Sequence, residues 1–207
     1  MKRTLILISG LVALAAVGTS ATTSANAGLA ACSSPANLHP NCSVSGSVTD
    51  WNLRNGSNFV FDGAVGANEL GAASVDSEFL GASFADNLAG VDACVSPISA
   101  GVEYEAKRSA SSSGTDVNCL MSFEYRDTVG CAGTQVGGDV QGVLTPIGAS
   151  FSEISFLVDT APVGAASVVL KTFCANVGQP AFTVKFDDGY FNESGAVPVE
   201  LQGFSVE

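Results

Sequence analysis

Basic residues are the first shortage. Lysine and arginine number 8 against 20 aspartates and glutamates, for a net charge of −12. Phosphate backbones are held by clusters of Lys and Arg, and here they go no further than adjacent pairs, so nucleic acid is not an expected partner. Histidine occurs once, as His39, and no CxxC spacing is present, which leaves a zinc site without ligands. His39 also sits beside Pro40 in an irregular stretch, a poor place for the base of a Ser–His–Asp arrangement. The motifs GxSxG and HExxH and the phosphate loop are missing. A glycosidase needs two carboxylates across a cleft, and no spacing singles out such a pair. Catalysis therefore finds no support. Sustained helical periodicity is absent too.

Long apolar runs are confined to the start. Lys2 and Arg3 precede an apolar run over residues 5–17, and Ala25-Asn26-Ala27 has the small residues of a cleavage site. This pattern is a secretory signal peptide over residues 1–27. The run falls short of the ~20 residues a membrane span needs. No later run reaches that length, so no transmembrane segment is expected. A minor alternative is a lipobox at residues 29–32 with Cys32 lipidated, against which stands the polar stretch of residues 19–26. Removing residues 1–27 from 207 leaves 180, with Lys2 and Arg3 gone and the net charge at −14. That length suits a single domain. The expected location is secreted, periplasmic or on the cell surface.

What the chain does have is an even set of six cysteines, Cys32, Cys42, Cys94, Cys119, Cys131 and Cys174, all after the signal. In an exported chain such a set reads as disulfides. Residues 28–43 form an irregular lead-in closed by a Cys32–Cys42 loop, and residues 44–207 form the folded domain.

Within that domain short β-type runs alternate with Gly, Ser, Asn and Asp clusters. Residues 181–191, AFTVKFDDGYF, set the pattern. Phe182, Val184 and Phe186 point one way, and Thr183 and Lys185 the other. The strand is then expected to end at Asp187 and Asp188. Residues 102–109 place Val102, Tyr104 and Ala106 on one face. Residues 119–126 place Cys119, Met121, Phe123 and Tyr125 opposite Ser122, Glu124 and Arg126. Residues 57–61, 72–76, 140–144, 149–158 and 167–174 read as further strands, residues 84–98 contain one, residues 197–206 read as a further strand or extended tail, and the SASSSG patch of residues 109–114 as a hairpin loop. Trp51, Tyr104, Phe123 and Tyr125 are core candidates. Tyr190 and Phe191 read either as a lid or as core contacts. This series of short strands predicts an all-β, two-sheet antiparallel sandwich or barrel.

Several pieces occur in one order: VTDW, then GASFADNLAGVDACVSPISAGVEYEAKRSAS, then CLMSFEYRDTVGCAG, then TAPVGAASVVLKTFC and FTVKFDDGYF. In this order they resemble the galactose-binding-like jelly roll of carbohydrate-binding modules, over residues 44–191. The resemblance implies that strand 168–174 runs antiparallel between 88–95 and 119–126, with Cys119 bonded to Cys174 and Cys94 to Cys131. It also implies a paired-Asp motif in the final strand. The sequence departs where related modules carry an Asn-Gly-Asp-Phe-Glu type opening: here it reads NCSVSGSVTDW, without the glutamate that helps hold calcium.

Two candidate sites follow. Asp187 and Asp188 are side by side, and like charges repel unless water or a cation separates them. Ca²⁺, which takes hard oxygen ligands, is the cofactor they would hold, with backbone carbonyls and an acid such as Asp50 or Asp76. The second site is the polar face of the central strands, where Glu124 and Arg126 are expected to lie beside Lys171 and Phe173. Planar polar groups for hydroxyls and an aromatic face for the apolar side of a sugar are what a glycan needs. The competing reading is an ordinary salt-bridged sheet face. The expected function is thus non-catalytic binding of a polysaccharide or glycan on a concave sheet. The alternatives are a structural or adhesive cell-envelope protein without a small ligand and, further off, a hydrolase.

Overall fold

A computed structural model of the chain describes residues 32, 37–67, 70–79, 86–177 and 180–194. The signal peptide, residues 29–31 of the lipobox and the expected strand or extended tail over 197–206 lie outside these residues. Every named element among them is a strand: β1 (Trp51–Asn55), β2 (Ser57–Asp62), β3 (Ala72–Asp76), β4 (Glu78–Phe79), β5 (Asp86–Val95), β6 (Glu103–Ser112), β7 (Val117–Arg126), β8 (Val140–Gln141), β9 (Thr145–Ile147), β10 (Ser152–Thr160), β11 (Ser167–Val177) and β12 (Thr183–Glu193).

They form two antiparallel sheets. One runs β1-β5-β11-β7-β8, with β4 beside β5 and β9 beside β7, making seven strands; the other runs β10-β6-β12-β3-β2. β11 does lie between β5 and β7, with Val169 across from Cys94 on one side and Glu124 on the other. Each sheet turns its apolar side inward because the two-residue period of its strands is kept in register. Val91, Ala93, Met121, Phe123, Tyr125, Val168 and Leu170 from the first sheet meet Val75, Tyr104, Ala106, Val184, Phe186 and Phe191 from the second. Tyr104 stacks on Phe191 at 4.9 Å between ring centroids, and Phe123 meets Phe191 edge-on at 5.6 Å. Phe191 is therefore core and not lid. Tyr190 donates to Glu105 Oε1 at 2.9 Å.

Disulfides join Cys32 to Cys42, Cys94 to Cys131 and Cys119 to Cys174. Cys119 and Cys174 are direct cross-strand partners on the inward face of β7 and β11.

Three expectations need correction. The run SASSSG is not a loop from its first residue: Ser109–Ser112 complete β6, and the hairpin turn starts at Ser113. Small residues with no large side chain look like a turn in sequence, yet cross-strand hydrogen bonds to β12 hold them extended. Nor does the last strand end at its acids. β12 continues to Glu193 through a bulge between Asp187 and Tyr190, with Asp188 in the left-handed region at φ 48°. Both acids are buried, at 0% and 3% exposure, and not stranded at a rim.

The described part of the lead-in, residues 37–43, has no strand or helix, and it packs into the core. Leu38 N–H donates to the Phe191 carbonyl, Gly189 N–H donates to the Cys42 carbonyl, and the Asn37 side chain bridges Gly189 and Phe191. This lays His39 over the bulge. A Cβ on residue 189 would come within 2.5 Å of the His39 ring, which explains the glycine there. His39 is buried between Trp51 and Arg108, with 5.2 Å between its ring and that of Trp51.

Candidate functional site

The outward side of the seven-stranded sheet collects the polar residues of four strands. Alternation turns Leu120, Ser122, Glu124 and Arg126 of β7 outward, since the residues between them are buried inward. Register then sets Phe173 between Leu120 and Gly90, and Lys171 between Ser122 and Asp92. Asn52 of β1 lies across from Asp92. The four residues expected to share a face, Glu124, Arg126, Lys171 and Phe173, do share it.

Charge on this face is balanced by direct pairing. Lys171 Nζ pairs with Glu124 and lies 2.8 Å from Asp139 Oδ2, and Arg126 also pairs with Glu124. Arg54 reaches Asp92 at 3.0 Å. Three cations therefore meet three carboxylates. Lys171 is only 4% exposed and Glu124 8%, so these two act as a buried pair that fixes their neighbours. Arg126 and Asp139 are the reachable ends of the network. Arg126 is further held by the Gly133 carbonyl at 2.9 Å, and Asp139 by Gln135 at 2.8 Å. Burial pushes the Asp92 carboxyl above its usual range, against the pull of Arg54, Arg108 and Lys171.

Phe173 is half-buried and is the one outward-turned aromatic among the described residues of β1, β5, β7 and β11. Its neighbour across the strand is Gly90, where a Cβ would press within 3.0 Å of the Phe173 Cβ. An aromatic beside a cross-strand glycine can lie over the bare backbone. The face thus offers an apolar ring flanked by planar charged groups.

Arg54, Asp92 and Asp139 belong to this face and were not singled out from the sequence. The alternation of strand 88–95 already turns Asp92 away from Val91 and Ala93. Asp139, in a Gly-rich loop, carries no comparable signal, because only the fold brings it over Lys171.

The acid pair has a different setting. Asp187 Oδ2 accepts the Ala67 N–H at 2.7 Å, anchoring the loop after β2. Asp76 is engaged elsewhere, by Asn58 at 2.7 Å and Thr183 at 2.6 Å, and Asp50 is exposed in the turn before β1. Neither joins Asp187 and Asp188. Among the described residues no group of three or more His, Cys, Asp or Glu side chains is arranged to hold a metal ion.

His39 has both ring nitrogens engaged. Nδ1–H donates to the Pro40 carbonyl at 2.7 Å, which leaves Nε2 to accept from Arg108 at 2.9 Å. Burial first, and the Arg108 charge second, hold its pKa down to about 3. This is a core histidine, unsuited to proton transfer with a substrate.

No protein family model matches this sequence, and no curated protein matches it. Solved structures do. The enzymatically active domain of tailspike protein 4 from bacteriophage CBA120 is similar over 76% of the chain, with TM-score 0.57 and 16% identity. The chain spans about a fifth of that domain, 21%. A xylan-binding domain of carbohydrate-binding module family 22 is similar over 79% of the chain and 99% of its own length, with TM-score 0.56 and 17% identity. TmCBM61, solved with β-1,4-galactotriose, is similar over 76% of the chain and 98% of its own, with TM-score 0.51 and 12% identity. At these identities the likeness establishes the fold: a two-sheet sandwich of the kind found in carbohydrate-binding modules.

Proposed function

We propose that this chain is an exported, non-catalytic module that binds a neutral polysaccharide or glycan on the outward face of its seven-stranded sheet. The observation that carries the reading is Phe173, a half-exposed ring set beside Gly90 within a polar face. Sugar rings have an apolar CH side that stacks on aromatics and hydroxyls that bond to planar charged groups. Asp92 lies two positions along the sheet from the ring, and Arg54, Asp139 and, six positions along, Arg126 supply further such groups on the same face. Their charges cancel in pairs, and the whole chain is acidic, so a polyanion gains nothing from this surface. The solved xylan- and galactotriose-binding neighbours agree with this class of ligand. Three disulfides support export to an oxidising compartment.

The test is retention of the folded chain on xylan, galactan, chitin and bacterial glycans, with Phe173→Ala as control. Binding to at least one neutral glycan, lost in the variant at unchanged melting temperature, is the expected result. Silence across the panel would give the structural or adhesive envelope role the stronger claim. That reading is favoured by the near-complete burial of Lys171 and Glu124.

The same proposal includes a stabilising Ca²⁺ at the bulge. Its support is the burial of two adjacent carboxylates, whose hard oxygens suit that ion. Asp187 and Asp188 would hold it, with backbone oxygens making up the set. Such an ion would supply stability and leave the sugar face unchanged. Chelation is expected to lower the melting temperature; an unchanged melt removes calcium from the account.

A further inference from the structure

The other sheet of the molecule carries a concavity. A groove of about 470 Å³ opens on the outward face of the five-stranded sheet. The small residues that end β6 form part of its wall, with Ser111 directly across from Lys185 of β12. A large side chain at position 111 would fill the hollow; Ser111 leaves it open. Ser111 and Lys185 lie on the two central strands beneath it, Phe151, just before β10, borders it on one side, and Val65, from the loop that Asp187 anchors through Ala67, belongs to the segment after β2 on the other. Lys185 Nζ is 2.9 Å from Asp62, and both side chains are about two-thirds or more covered.

We propose that this groove is a second ligand site, for a neutral mono- or disaccharide, separate from the Phe173 face. Three features argue for that class. The volume lies within the ~300–1,000 Å³ typical of small-molecule pockets. Serine hydroxyls and the Lys185–Asp62 pair supply donors and acceptors, and Phe151 at one border presents an apolar face. Hydroxyl partners beside an aromatic face suit a sugar ring. The one cation among the described lining residues is already paired with Asp62, which leaves no net charge to hold an anion.

The inference is independent of the polysaccharide reading, and the experiment separates them. Cellobiose, xylobiose and β-1,4-galactobiose are titrated into the ¹⁵N-labelled chain with backbone amides followed by NMR. At least one sugar is expected to shift the amides of residues 111–113, 151 and 183–185. Ser111→Leu, which fills the groove, and Lys185→Ala, which removes the amine, are each expected to weaken that titration by about tenfold or more. Retention on polysaccharide through the Phe173 face is expected to be untouched by both. Should Ser111→Leu fail to fold, Lys185→Ala decides alone. Shifts confined to residues 88–92, 120–126 and 171–173, or none with any of the three sugars at millimolar concentration, overturn the proposal.

Discussion

Lys171 and Arg108 are both cations taken out of water, at 4% and 0% exposure, yet their surroundings differ in kind. Lys171 lies under the outward face and is neutralised by Glu124 and Asp139. Arg108 lies between the sheets and forms no salt bridge with a carboxylate among the described residues. Its guanidinium sits 4.2 Å over the Trp51 ring, donates to Thr172 Oγ1 at 2.6 Å and to His39 Nε2 at 2.9 Å. Burial pulls its pKa down to about 9, partly offset by Asp92, so it stays charged at neutral pH. A charge balanced by acids at a surface fixes the shape of that surface. A charge balanced by an aromatic face and two neutral acceptors ties the lead-in, β1, β6 and β11 together. The first is a feature of the site and the second a feature of the fold.

The largest expected effect breaks the second arrangement. Arg108→Ala leaves a cavity under Trp51 and an unpaired His39 nitrogen, and is expected to cost ~3–5 kcal/mol in urea unfolding. A loss below 1 kcal/mol would show that the core does not rely on this cation. Lys171→Met comes next. It takes from the buried Glu124 its buried partner, leaving it Arg126, and is expected to cost ~1–3 kcal/mol. Replacing both, as Lys171→Met with Glu124→Leu, is expected to recover most of that loss, because no buried charge is then left alone. No equivalent rescue exists for Arg108, which has no acid partner to remove.

The pH dependence sharpens the contrast. His39 has a folded pKa of about 3, below the 6.5 of the unfolded chain. Between those values the unfolded chain binds the extra proton, so stability falls as pH drops from 6.5 toward 3. Thermal melts of the parent chain are expected to show this slope, and His39→Gln to flatten it. The smallest effect belongs to the exposed Lys107–Glu153 pair at 3.7 Å, where Lys107→Ala is expected to change stability by ~0–1 kcal/mol.

Much of the fold is legible because alternation is local. Tyr104, Ala106 and Phe123 declare their faces from immediate neighbours, and two such faces imply two sheets. The same rule extended two residues past Ala106 places Arg108 inward, a charged residue on an apolar face, and that signal was readable but unread. The bulge at Asp187 was not readable. Two adjacent acids before a glycine look like a strand end, and only the lead-in packing on Gly189 carries the strand through. His39 shows the same limit: nothing in its own neighbourhood reveals that the chain brings it to Trp51 and Arg108. On the Phe173 face, the pairing of β7 with β11 followed from the jelly-roll resemblance, while Asp139 depended on the course of a loop.

Covalent reinforcement in this molecule is one-sided. Two of the three cystine bridges fasten β5, β7 and β11, and the third holds the lead-in, whereas no strand of β10-β6-β12-β3-β2 contains a cysteine. Under mechanical load or protease attack the unbridged layer is expected to peel away first, and the layer bearing Phe173 to survive longest.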